Sequence, residues 1–291
     1  FLYLRRFYTL FFQFRYDFII IHCELFPFVP YYIEKLLIFK KYIYDFDDAV
    51  FFRYDRIKFF FKYLYKNKFK HIIRKASLVH AGSQYLLEYS LRINTNSFLL
   101  PTSVDTNRYK KINISKNNVF TIGWIGSPSS AKYLDFLIEP FDELSKSVNF
   151  VFLIIGANTK PNFNSCNCNI VKWNYSNEID LINQFDIGIM PLEETDWEKG
   201  KCAFKLIQCM SCEIPVVASP IGFNNILIDE NVDGLFAKNK TEWIKTIKYL
   251  FQEKQIRLNM GNAARKKIIE FYSKEIIFDK LINNIRKTKL I

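Results

Sequence analysis

The 291-residue chain contains no uninterrupted apolar run of the roughly 20 residues needed to cross a bilayer, and no stretch reads as a signal peptide with a cleavage site. Its six cysteines make no disulfide framework. Cys166 and Cys168 flank an asparagine in a polar loop, while Cys209 and Cys212 share a helical pattern. A zinc site built on these pairs would need them to converge, and no histidine lies near them in sequence, so no metal is expected there. Reduced thiols fit a cytoplasmic protein. Acidic residues are in deficit, 29 Asp and Glu against 41 Lys and Arg, which leaves a net charge of +12 and a pI near 9.3. That balance favours an anionic partner such as a nucleotide or anionic lipid. No nucleic-acid module accompanies the charge, so nucleic acid is not expected as a partner. A coding bias toward Phe, Ile, Lys, Asn and Tyr accounts for the same charge without any partner.

Hydrophobic residues make up 49% and charged residues 24% of the chain, the balance of a globular protein long enough for two domains. The most informative stretch is Asp186 to Gly222, DIGIMPLEETDWEKGKCAFKLIQCMSCEIPVVASPIG. A short apolar run, Ile187 to Met190, stops at Pro191, and an acidic, aromatic loop follows. A helical pattern is then entered through Gly200 and Lys201, and a second apolar run, Ile214 to Ala218, ends at Ser219-Pro220. This is the strand–loop–helix–strand unit of a parallel α/β sheet. At about 100° per residue, Lys201, Lys205, Gln208 and Cys212 fall within roughly 60° of one another. A first helical turn carrying Gly200-Lys201, with Lys205 one turn on, suits an anion, because free N–H groups and the dipole favour negative charge there. The competing reading is a solvated lysine face.

This stretch resembles the signature of retaining glycosyltransferases of family 4, in its bacterial surface-polysaccharide branch, where the wording is close to DIGxxPL…GKxxxKLLQYMAxGxPVVAS. The resemblance implies an α/β protein of the GT-B fold, with two facing Rossmann-like domains and the nucleotide-sugar held mainly by the second. The implied division is a first, acceptor-side domain over 1–109, a linker at 110–118, a nucleotide-sugar domain over 119–272, and a last helix at 273–291 that crosses back to the first domain.

The resemblance extends along most of the chain. Family members carry two strand–helix units and a glycine-rich turn ahead of a strand like Phe18 to His22, so roughly 60–80 residues are expected to precede it, at 30-odd per βαβ unit. IIIHCELFPF resembles a strand end that delivers polar groups to the acceptor. In an extended segment His22 and Glu24 point the same way, as acceptor contacts or acid/base groups. YIYDFDDAVFF resembles the family's YDxDDA segment. Asp45, Asp47 and Asp48 are numerous enough to hold a metal, but GT-B enzymes generally work without one. Asp47 and Asp48 are therefore expected to face the acceptor or to cap the next helix. Over residues 53–76, Lys58, Lys62, Lys66, Lys70 and Arg74 recur every fourth residue and form a cationic row on one helix. Such a helix suits peripheral docking on an anionic membrane, or simply packs on its own sheet. SLVHAGS, NSFLLPTSVDTNRY and MGNAARKKIIEFYS match further family segments. Thr241 is expected to cap a helix over 242–252.

The donor site is expected at Gly126 and Ser127, a weak phosphate cradle, and at Trp173, where stacking on a base competes with plain burial. The usual Arg–Lys clamp is not matched, which shifts the diphosphate toward Lys201 and Lys205. The family's two glutamates fall here on Gly200 and Gln208. Gln208 retains the ability to hydrogen-bond a diol, whereas Gly200 contributes only backbone, and Glu193, Glu194, Asp196 and Trp197 are in position to contact the sugar. The resemblance therefore implies a hexosyltransferase with no cofactor beyond its nucleotide-sugar substrate, acting with retention on a glycan or lipid-linked glycan acceptor. A non-catalytic nucleotide-binding or membrane-docking partner of another transferase, or a nucleotide-sugar epimerase, stays open as an alternative.

Overall fold

The computed structural model describes residues 2–56, 63–65, 67–113, 119–288 and 290. Two compact units divide the chain, and their boundaries are discontinuous. The first comprises Phe1–Thr102, Thr195–Cys202 and Ile277–Ile291; the second comprises Ser103–Glu194 and Ala203–Ile276. Residues 114–118 of the expected linker lie outside the described residues.

In the first unit four parallel strands, β1 (Phe18–His22), β2 (Lys41–Phe46), β3 (Leu78–Ala81) and β4 (Ser97–Leu99), lie in the order β1-β2-β3-β4. Alternation along β2 sends Tyr42, Tyr44 and Phe46 to one core, with Val79 and Ala81, while Ile43 turns to the other face and meets Leu78 and Ile285. Both faces of the sheet are thus covered, as parallel sheets require. Ile285 belongs to the last helix, Lys274–Lys287.

The basic stretch over 53–76 is not one helix. Val50–Arg56 is a 3-10 segment, Asn67 takes a left-handed conformation (φ 71°), and an α-helix runs only from Lys68 to Lys75. Lys58, Lys62 and Lys66 of the expected row lie outside the described residues. Phe69, Ile72 and Ile73 are buried, and Lys70 and Arg74 are exposed. Lys68, outside the row, is fully buried. Its Nζ lies 3.0 Å from Glu34 Oε1 and donates to the carbonyl of Phe26 at 2.8 Å, while Glu34 accepts from the Phe26 amide. Desolvation on this scale is offset only by close pairing.

In the second unit six parallel strands lie in the order β10-β9-β8-β5-β6-β7. They are β5 (Phe120–Ile125), β6 (Phe150–Ile155), β7 (Cys168–Val171), β8 (Ile187–Met190), β9 (Val216–Ala218) and β10 (Gly234–Phe236). Ile122, Trp124, Phe152, Ile154, Ile187 and Ile189 fill one face with Trp243 and Phe141. On the opposite face two glycines admit neighbours that a side chain would exclude. A Cβ at Gly123 would lie 2.0 Å from the Phe185 ring, and one at Gly188 would lie 2.7 Å from Cys209 Sγ. The helix Phe204–Ser211 therefore packs directly on the backbone of β8. Arg265 ties this helix to the segment at residues 105–109, donating to the carbonyls of Ser211, Tyr109 and Thr106 at 2.7, 2.6 and 2.8 Å.

Two local expectations are corrected. The helix Phe204–Ser211 does not begin at Gly200-Lys201, because Ala203 is left-handed (φ 53°) and ends any helical path through it. Lys201 is thus outside the helix that carries Lys205. The helix Lys240–Gln252 is capped by Asn239, whose side chain accepts from the Glu242 amide at 3.0 Å, and not by Thr241. Among the described residues no helix is long and apolar enough to cross a membrane.

The buried pair in the first unit yields a stability test. Lys68→Met leaves the Glu34 carboxylate without its cation and is expected to cost about 3–5 kcal/mol in urea unfolding. The double variant Lys68→Met/Glu34→Gln should recover much of that loss; equal losses in both variants would mean that pairing is not what holds Lys68 inside.

Candidate functional site

In the second unit the C-terminal ends of parallel strands converge, the place where open α/β sheets bind ligands. Two glycines make the convergence tight. A Cβ on Gly156, which has φ 89°, would lie 2.3 Å from the Gly126 carbonyl oxygen, and one on Gly126 would lie 2.4 Å from both Lys205 Nζ and the Trp124 ring. The Gly126 amide donates to the carbonyl of Ile155 at the end of β6. Lys205, in the first turn of the helix Phe204–Ser211, crosses the opening. Its ammonium lies 4.5 Å from the Trp124 ring centroid and donates to Ser130 Oγ at 2.8 Å. Ser127, Ser129 and Ser130 are linked hydroxyl to hydroxyl, at 2.9 and 3.2 Å from Ser127 Oγ. A lysine positioned over an aromatic ring beside a serine-rich turn presents several donors to an anion.

Next to it lies a network that residue patterns did not reveal. Glu178, 3% exposed, accepts from Trp173 Nε1 and Gln208 Nε2 at 2.9 Å each and from the Tyr109 hydroxyl at 2.6 Å. Arg108 completes it, 3.5 Å from the carboxylate and 3.4 Å above the Tyr175 ring. Burial pushes the Tyr109 phenol well up, and the bond it donates to Glu178 adds to the shift. Gln208, expected to hold a diol, has its amide nitrogen shared between Glu178 and Tyr109, at 2.9 and 3.0 Å. A carboxylate at 208 would oppose that of Glu178, whereas an amide donates to it. Trp173 is tethered through its indole nitrogen and remains 48% exposed, so a ring face is available for stacking. Nothing in periodicity marks Glu178 or Tyr109; Arg108-Tyr109 reads only as the end of a hinge motif, and Glu178 as an acid in the first turn of a helix.

The remaining expected residues fall to the first unit, apart from Glu193 and Glu194, which are exposed at the end of the second unit's first segment. Lys201 Nζ lies 3.8 Å from Asp48. Gly200 is a packing residue: a Cβ there would lie 2.6 Å from that of Ala49, and its carbonyl accepts from Ser83 Oγ. Trp197 is half-buried in the short helix Asp196–Lys199.

His22 and Glu24 do not share surroundings, because Cys23 between them is left-handed (φ 54°) and ends the extended alternation. Glu24 turns inside, where it accepts from the Tyr54 hydroxyl at 3.0 Å. His22 is exposed at the end of β1, in register with Asp45 on β2, and the pair is joined Nδ1 to Oδ2 at 2.7 Å. The bond to Asp45 and the neighbouring Cys23 push the imidazole up to about 11.

The comparisons agree with this architecture. Residues 119–253 match the family described as glycosyl transferases group 1. The capsular polysaccharide biosynthesis glycosyltransferase CapM of Staphylococcus aureus is 24% identical over 226 residues, covering 73% of this chain and 57% of CapM. The chain thus spans a little over half the length of that curated relative. Among solved structures, Anabaena HepE in complex with UDP-glucose superposes with a TM-score of 0.74 at 15% identity, over 96% of this chain and 81% of HepE. A glycosyltransferase from Rickettsia africae gives 0.68 at 17% identity, over 98% and 81%. These likenesses show the fold: α/β, with two parallel-sheet units of the GT-B class.

Gln208→Glu is expected to lower the melting temperature at pH 7 by the equivalent of about 1–3 kcal/mol, through loss of a donor to a buried acceptor. The deficit should shrink as pH falls below about 5, where one proton shared by the two carboxylates restores a donor. A deficit independent of pH would show that charge opposition is not its cause.

Proposed function

We propose that the protein is a glycosyltransferase that moves a sugar from a nucleotide-sugar donor to a glycan or lipid-linked glycan acceptor in surface polysaccharide synthesis, with retention of configuration. The reading rests on the family of residues 119–253 and is carried by one observation, the placement of Lys205 beside Gly126 and the serine turn at the C-terminal end of β5. The solution of HepE with UDP-glucose and the name of CapM favour the same donor class and pathway class.

In this reading the second unit binds the donor. Trp173 stacks on the base, its ring held by Glu178, and Gln208 acts through that carboxylate as a positioning residue. Lys205, with the Ser127 hydroxyl and the close backbone approach that Gly126 allows, absorbs the charge that develops on the diphosphate as the glycosidic bond breaks. That stabilisation matters most in the transition state, where the leaving group gains charge. Lys201, His22, Glu194, Trp197, Asp47 and Asp48 are assigned to sugar and acceptor contacts, whereas Glu24, buried against Tyr54, is given none. Docking on an anionic membrane is assigned to residues 53–76, whose described exposed cations are Arg53, Lys70, Arg74 and Lys75.

Calorimetric titration with UDP, GDP and dTDP tests the donor site directly. One nucleotide is expected to bind in the micromolar range, and Lys205→Ala should weaken it. Turnover of the matching sugar nucleotide should fall by about 2–4 kcal/mol of transition-state stabilisation, roughly thirty- to thousandfold. Absence of binding to all three nucleotides, or unchanged turnover in Lys205→Ala, would overturn the reading.

A further inference from the structure

The cluster at the ends of β1 and β2 does more than pair a histidine with an aspartate. Three different ligand types converge on one point there: His22 Nε2, Cys23 Sγ and Asp47 Oδ1. The thiol lies 3.5 Å from the imidazole nitrogen and 3.3 Å from the carboxylate, and the nitrogen and carboxylate are 3.7 Å apart. A tetrahedral zinc ion, with Zn–N and Zn–O near 2.0–2.2 Å and Zn–S near 2.3 Å, needs ligand-to-ligand edges of about 3.3–3.6 Å. The triangle formed by these three atoms matches one face of that tetrahedron to within a few tenths of an ångström.

We propose that His22, Cys23 and Asp47 form a zinc site with three protein ligands and a fourth position open to water or to an oxygen-bearing ligand. Four observations support this assignment besides the edge lengths. The imidazole is oriented from behind: Nδ1 is held by Asp45 at 2.7 Å, which leaves Nε2 to point at the other two ligands. A carboxylate on the far nitrogen is the usual partner of a zinc-bound histidine. The left-handed turn at Cys23 brings its thiol to the His22 side, where an extended residue at this position would face away. The side chains of His22 and Asp47 are 59% and 47% exposed, so an ion has a path in and room for a fourth ligand. The donor set selects the metal, since a thiolate with an imidazole favours zinc over magnesium or calcium, which prefer oxygen. On binding, the thiol proton and any proton on Nε2 leave to solvent, and the carboxylate binds as it stands. The site is independent of the nucleotide reading and lies wholly within the first unit.

Cobalt(II) reports the coordination of such a site without reference to activity. Titration of the full chain with cobalt is expected to give the visible bands of a tetrahedral ion and a near-ultraviolet thiolate-to-cobalt band. Both should saturate at one ion per chain and vanish when zinc is added. Cys23→Ser should abolish the thiolate band, and Asp47→Asn, a change at an exposed residue, should weaken binding while the metal-free chain melts as before. Asp45→Asn, which acts through His22, should cost about 10–100-fold in affinity and leave the band in place. The double variant Cys166→Ser/Cys168→Ser should leave every signal unchanged. A thiolate band that survives Cys23→Ser or disappears with Cys166 and Cys168 would overturn the proposal, as would the absence of any band at millimolar cobalt.

Discussion

The second unit is arranged around one buried carboxylate. A charge as enclosed as that of Glu178 survives only if donors surround it, and its donors come from distant parts of the chain. Arg108 and Tyr109 follow the hinge-like Pro101 segment, Trp173 follows β7, and Gln208 lies in the helix packed on β8. Satisfying one group therefore fixes the relative positions of three elements. Arg265 extends the same bracing by binding the carbonyls of Thr106, Tyr109 and Ser211. An exposed tryptophan held by such a network keeps its ring orientation without needing to be buried itself.

Glycine does the complementary work of bringing backbones close. Gly123 and Gly188 let Phe185 and Cys209 sit against the sheet, while Gly126 and Gly156 draw the ends of β5 and β6 together under Lys205. The lysine ammonium occupies the space that a Cβ at 126 would fill. The anion-binding character of that corner is thus a property of backbone spacing as much as of charge.

Much of the fold was legible beforehand because it rests on local patterns. Apolar runs cut off by Pro191 and by Ser219-Pro220 marked strands, and the strand from Phe18 to His22 needed only its unbroken apolar character. Pattern fails where one residue departs from regular backbone. Left-handed conformations at Cys23, Asn67 and Ala203 redirected Glu24, interrupted the basic stretch and separated Lys201 from the helix of Lys205. None of the three is a glycine, and only Asn67 is of a residue type that favours such a turn. Glu178 was hidden for a different reason. Its partners are 5 to about 70 residues away in sequence, a range at which periodicity carries no information. Cys23 was passed over because cysteine pairs drew attention to themselves, whereas its neighbours in space come from β1 and the end of β2.

The discontinuity of the units has a consequence for how the molecule can be taken apart. The backbone passes between them after Thr102, Glu194, Cys202 and Ile276. No single peptide-bond cleavage can release either unit, and neither corresponds to one uninterrupted gene segment. A protease nick at one passage leaves the others as tethers. An exchange of units between related chains would have to transplant Thr195–Cys202 along with the larger piece, or leave β8 and the following helix joined through a foreign insert.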